Sequence, residues 1–232
     1  MNPLKYVLCG LCSLLAAAAA PGQTVISSLP HTIKAPGTYV LTANLAYSGK
    51  SKAITVKASD VIIDLQGFTL SCQDNISPTI AVYVDNFSNV TVQNGVITGF
   101  RTGVDFDSPS SQNLQNVAEI AQDLQINSAP QYGIVVINPT ICLIQRNIIN
   151  GGANGAGISL TQSIGGNRVS YNQVTGAEFG YQSDGYCYFL SNMASNCQFG
   201  FSNSSTDKYR FCTTSGCTTT FSGGADAGDT ND

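Results

Sequence analysis

Glu119, Arg168, Tyr188 and Arg210 are the residues of this chain whose types and spacing best suit a chemical task. An arginine can grip a carboxylate through two parallel hydrogen bonds. A tyrosine set between two such cations presents a flat apolar ring with a polar tip. Gathered on one face, the four would hold an acidic glycan. Other sets are poorer. Asp105 and Asp107 are the nearest pair of carboxylates, and they read as solvated residues beside a polar insertion over 107–116. Glycoside hydrolysis needs two carboxyls roughly 5 to 9.5 Å apart, and neighbouring repeats offer no matched pair. Zinc is disfavoured because the cysteines lack paired C-x-x-C spacing and the single histidine, His31, precedes the repeats. With two methionines besides, copper has no ligand set either. The expectation is no metal and no cofactor.

The elements that must position these residues are written as a repeat. The stretch N-V-T-V-Q-N-G-V-I-T-G-F, residues 89–100, alternates like a strand and breaks at Asn94-Gly95 and Gly99. Looser copies begin at Ile141, Arg168 and Tyr188. Taking the last inward apolar residue before each turn as anchor gives Ile63, Val92, Ile120, Ile144, Val169, Phe189 and Phe211, with steps of 29, 28, 24, 25, 20 and 22 residues. A second strand follows each turn, opening at Gly103, Gly133, Gly157, Gly180 and Gly200. One such unit cannot bury its apolar face, but a stack of them can. The period predicts an all-β, single-stranded parallel β-helix of about seven rungs with an N-terminal cap, on the order of 30 Å tall at about 4.8 Å per rung.

In this register one outward row runs Asp64, Gln93, Ala121, Gln145, Ser170, Leu190, Cys212. Its neighbour runs Thr91, Glu119, Leu143, Arg168, Tyr188, Arg210. Arg168 and Arg210 then lie two rungs apart, about 10 Å, with Tyr188 between them. Asn94, Asn147, Asn172 and Asn192 fall at corners, where asparagine tolerates left-handed backbone and its amide can bond to the next amide along the stack. Asp64 reads as a structural turn residue.

The organisation predicted is a signal peptide over 1–22, a cap and first strand over 23–60, repeats over 61–221 and a flexible tail over 222–232. Lys5 followed by the apolar run Tyr6–Ala20 has the form of an export signal, too short to span a bilayer. Cys9 and Cys12 form no convincing lipoprotein box. Six cysteines remain, an even count that suits disulfides in an exported chain. Cys142 and Cys187 fall two rungs apart and read as buried thiols. Cys197 and Cys217, one rung apart, are the disulfide candidate, with Cys212–Cys217 the rival. Charged residues are only 10% of the chain and the net charge is −4, which argues against a nucleic-acid partner.

The segments Ala35-Pro-Gly-Thr-Tyr-Val-Leu-Thr, Asp60-Val-Ile-Ile-Asp-Leu-Gln-Gly-Phe-Thr-Leu and Asn89-Val-Thr-Val-Gln-Asn-Gly resemble the right-handed parallel β-helix proteins of the pectate-lyase-like superfamily, in particular secreted bacterial members with short β-helix repeats. The resemblance spans about 27–229. It implies a right-handed helix and a superfamily that includes polysaccharide lyases, hydrolases and epimerases. A lyase of that kind would show an acidic calcium cluster on an outer sheet face, and a hydrolase several adjacent aspartates with a histidine. Neither outward row supplies the six to eight oxygens calcium takes, and no histidine follows in the repeats. Two functions follow. The first is a non-catalytic exported protein, secreted, periplasmic or on the cell envelope, with a glycan-contacting or adhesive face. The alternative is a polysaccharide lyase or glycoside hydrolase acting on an acidic polysaccharide.

Overall fold

Short strands with one buried side each lie parallel to their equivalents one turn earlier and one turn later. The computed structural model describes residues 22–73, 78–107, 116–151 and 154–227. The proposed signal segment therefore lies outside the described residues up to 21, as does the end of the tail from 228. Among the described residues there is no helix, and every strand pairing is parallel. The chain is a parallel β-helix, as its repeat requires.

Each turn has three faces. The first face carries strands such as Val61–Asp64, Asn167–Ser170 and Cys187–Leu190; the second carries Thr69–Cys72, Ile148–Gly151 and Gln173–Thr175. In two turns a single strand, Val90–Thr98 or Ile120–Ala129, runs across both. The third face is a separate sheet from His31–Ile33 through Thr102–Asp107 to Thr219–Ser222. Eight complete turns run from Gly37–Val40 to Thr219–Ser222, against about seven read in the sequence. The extra turn comes from 23–60, which holds an incomplete turn, Gln23–Val25 with His31–Ile33, and then a complete one.

Two anchors shift register. The inward row of the first face is Tyr39, Ile63, Val92, Ala121, Ile144, Val169, Phe189, Tyr209. Ile120 points outward instead, level with Thr91 and Leu143. Small Ala121 takes the core position, and Glu119, buried two residues before it, accepts the Val90 N–H at 3.2 Å, consistent with this register. At the far end Tyr209 packs inward on Phe221, ring centroids 4.8 Å apart, and Phe211 sits at a corner with 69% of its surface exposed.

The third face is narrow, and a glycine column makes it so. A Cβ on Gly133 would stand 2.5 Å from the Gly157 carbonyl oxygen and 2.6 Å from Ile149 of the second face. The inward row beside it passes from Ile134 and Ile158 to stacked rings, Tyr181 on Phe201 at 4.6 Å and Phe201 on Phe221 at 4.9 Å. The corner between first and second faces carries the asparagine ladder. Asn172 Oδ1 accepts both the backbone N–H and the amide of Asn147 at 3.0 Å, and Asn192 does the same for Asn172. Asn94 stands outside the ladder; its amide donates to Asp64 instead. Asn94 is itself left-handed, with φ of 59°, but at the ladder rungs the left-handed residue is the one before the asparagine: Arg146, Tyr171 and Ser191 have φ of 54°, 59° and 52°.

Candidate functional site

The outward rows of the first face are built by the corrected register. One row runs Asp64, Gln93, Gln122, Gln145, Ser170, Leu190, Arg210. Its first half is a glutamine ladder: Gln93 donates to Asp64 at 3.1 Å, Gln122 to Gln93 at 2.8 Å and Gln145 to Gln122 at 2.8 Å. Asp64 also accepts the Gln66 N–H at 2.8 Å, a structural turn role as read in the sequence. Arg146 closes this end with two bonds to Asp123, at 2.7 and 2.8 Å.

The neighbouring row is Ile62, Thr91, Ile120, Leu143, Arg168, Tyr188, Lys208. Of the four residues singled out in the sequence, Arg168 and Tyr188 are register partners on adjacent rungs. Arg210 is not in their row; it is level with Leu190, one position across, and Lys208 takes the place above Tyr188. Glu119 is corrected outright. It faces inward with no exposed surface, and burial, partly offset by the Val90 N–H, pushes its carboxyl up to about 9. A carboxyl in that state cannot meet a ligand on the outer face. Arg168, Tyr188 and Lys208, with Tyr186, Gly166 and Thr206, line an open groove of about 410 Å³. Tyr186 has φ of 57° and is 59% exposed, so its ring projects from a left-handed corner at the groove's edge.

Lys208 follows from a last step of 20 residues, where the step that ends on Phe211 is 22. The step from Arg168 to Tyr188 is 20, and the same step again lands on Lys208.

The third face holds a second group of polar side chains. Asp105 and Asp107 both point outward, two residues apart on Thr102–Asp107. The Tyr83 hydroxyl, one rung earlier, donates to Asp107 Oδ2 at 2.8 Å. Lys52 Nζ lies 3.2 Å from the centroid of the Tyr83 ring, and Lys57 pairs with Asp85 at 3.4 Å. Asp107 is thus a bonded member of a network rather than a solvated residue. Asp105 is half-buried, and its Oδ1, closed off from solvent, has no hydrogen-bond partner. Burial first, then the charge of Asp107, raises its carboxyl to about 7, with Lys52 acting in the other direction. The adjoining insertion lies outside the described residues over 108–115.

Among the described residues the six cysteines are free thiols. Cys142 and Cys187 are buried on the same inward row with Asn167 between them, and burial lifts them to about 12 and about 11. Cys197 and Cys217 stack on neighbouring rungs, Thr218 N–H donating to the Cys197 carbonyl, but are not bridged. In-register parallel stacking sets Cβ atoms about 4.8 Å apart, beyond the usual disulfide span of about 3.8 Å. No group of three or more His, Cys, Asp or Glu side chains among the described residues could hold a metal ion.

No family model and no curated protein matches the chain. Among solved structures it is similar to the enzymatically active domain of tailspike protein 2 of bacteriophage CBA120, with a TM-score of 0.41 and 11% identity. The match covers 88% of this chain and 38% of that one, so the chain spans well under half the length of that structure. The class defined by the fold is the parallel β-helix.

Proposed function

We propose that the chain is an exported glycan-contacting protein whose first face binds an acidic polysaccharide strand in the Arg168–Tyr188–Lys208 groove. The observation that carries this reading is one outward row presenting cation, aromatic ring and cation on three successive rungs along an open groove. The two cations are two rungs, about 10 Å, apart. They suit a chain bearing carboxylates at that interval, with the Tyr188 ring under the sugar between them and Arg210 flanking. Both cations stand on strands, whose backbone is held by pairing on either side, so little ordering cost falls on binding. Export is supported by the Lys5–Ala20 pattern alone.

The alternative, an enzyme acting on an acidic polysaccharide, has one observation in its favour. Asp105 and Asp107 share an outward strand face, with Cα atoms about 6.6 Å apart, and the Asp105 carboxyl is poised near neutrality. That pair lies on the third face, away from the groove.

Calorimetric titration with an oligogalacturonate and with a neutral glucan oligomer separates the readings. The expected result is saturable binding of the acidic oligomer alone, weakened about tenfold by Arg168→Ala or Lys208→Ala, with no new reducing ends and no unsaturated uronate products. Equal affinity for the neutral oligomer, or unchanged affinity in the variants, overturns the proposal. Turnover would establish the alternative.

A further inference from the structure

A cavity of about 300 Å³ indents the third face, on a different side of the column from the groove. It is lined from four successive turns: Ile80; Thr102 and Asp105; Tyr132, Val135 and Ile137; Thr161. Most of this lining is hydrocarbon. Asp105 supplies its one carboxyl group.

The surroundings of that carboxyl are unbalanced. On its own strand Asp107 accepts from Tyr83. On the preceding strand stand Tyr83 and Asp85, and one strand earlier Lys52, with Lys57 just past that strand's end. Both lysines are engaged: Lys52 rests on the Tyr83 ring and Lys57 pairs with Asp85. On the following strand the ionisable side chain is that of Tyr132, and Val135 and Ile137 are apolar. Three carboxyls therefore meet two cations, and Asp105 Oδ1 is left buried with no donor. A buried acceptor left without a donor destabilises the folded chain. An ammonium group in the cavity offsets the excess of negative charge beside Asp105, which a neutral hydroxyl does not.

We propose that this cavity binds a compact organic ammonium ion, its charged end on the Asp105 carboxylate and its hydrocarbon body against Ile80, Val135 and Ile137. The site is independent of the acidic-glycan groove and takes a ligand of the opposite charge. Asp105 must be ionised to bind. Its carboxyl, held near 7, releases its proton as the pH rises through neutrality, so affinity rises across that interval.

The test uses cyclohexylammonium and its neutral isostere cyclohexanol, titrated into the full chain by NMR. The amine should saturate with an affinity about tenfold higher at about pH 8 than at about pH 6, following Asp105 ionisation, and the alcohol should bind weakly at both. Asp105→Asn should bind the amine at least about tenfold less tightly at the higher pH and lose the pH dependence. A second measurement needs no variant: the carboxyl carbon shift of Asp105 should titrate at lower pH when the amine is present, since binding favours the ionised form. Equal binding of amine and alcohol, absence of saturation, or an Asp105 titration unmoved by the amine overturns the proposal.

Discussion

Glu119 places a carboxyl in the core with Oε2 accepting from the Val90 N–H and Oε1 unpartnered. Its carboxyl is raised from 4.5 to about 9 in the folded chain, so the folded state holds a proton that the unfolded state has lost between those values. Stability therefore falls as pH rises from about 4.5 toward about 9. Asn167 and Asp207 do the same job further along this row without that liability of an orphaned oxygen: Asn167 accepts the Cys142 N–H at 3.0 Å, and Asp207 accepts the Cys187 N–H at 2.8 Å and the Ser183 hydroxyl at 3.2 Å. Glu119→Gln keeps the acceptor for Val90 and removes the ionisation. Chemical denaturation should find the variant about 2 kcal/mol more stable than the parent at about pH 8 and little changed at about pH 4.5. A variant less stable than the parent at the higher pH would show that the carboxylate is accommodated.

At the scale of the element, the strand was legible and its exact phase was not. Period-two alternation identified the rungs because Val61, Ile63, Val90 and Val92 are fully buried while Ile62 and Thr91 are not. Bulk then misled at Ile120 and Phe211. Apolar size is a poor guide where the core position is filled by a small residue such as Ala121, or where a corner exposes an aromatic such as Phe211. A one-residue slip exchanges the two faces of a strand, which is why Glu119 was read as outward. A two-residue slip keeps the face and moves the row, which is why Arg210 was read in the place of Lys208. Arg168 and Tyr188 were placed correctly because the anchors of their own turns, Val169 and Phe189, were. The carboxyl pocket was not legible at all: the desolvation of Asp105 comes from packing between turns, which strand alternation alone does not express. The glycine column was legible as the second beat of the repeat, and its cause is the closeness of second and third faces at Gly133. Gly133→Ala should lower stability by about 2 kcal/mol in urea denaturation, since Ile149 and the Gly157 carbonyl must both give way. A loss within experimental error would mean the faces separate easily.

For the whole molecule, the column spreads few charges over a long lateral surface. The chain carries ten Lys and Arg against fourteen Asp and Glu. Three of those cations, Arg168, Lys208 and Arg210, gather at one place on the first face across three turns. Against an acidic background such a patch directs a polyanion to one region, and the attraction weakens as salt is added. The asparagine ladder, the glutamine ladder and the ring stack each tie a turn to the next, so the spacing of Arg168, Tyr188 and Lys208 follows from the fold rather than from loop conformation. Backbone amide shift mapping with an acidic uronate oligomer tests this most directly. The account predicts perturbations concentrated on Arg168, Tyr186, Tyr188, Lys208 and Arg210, fading as salt rises, with Thr102–Asp107 unmoved. Perturbations centred on the third face, or scattered without a groove, would contradict it.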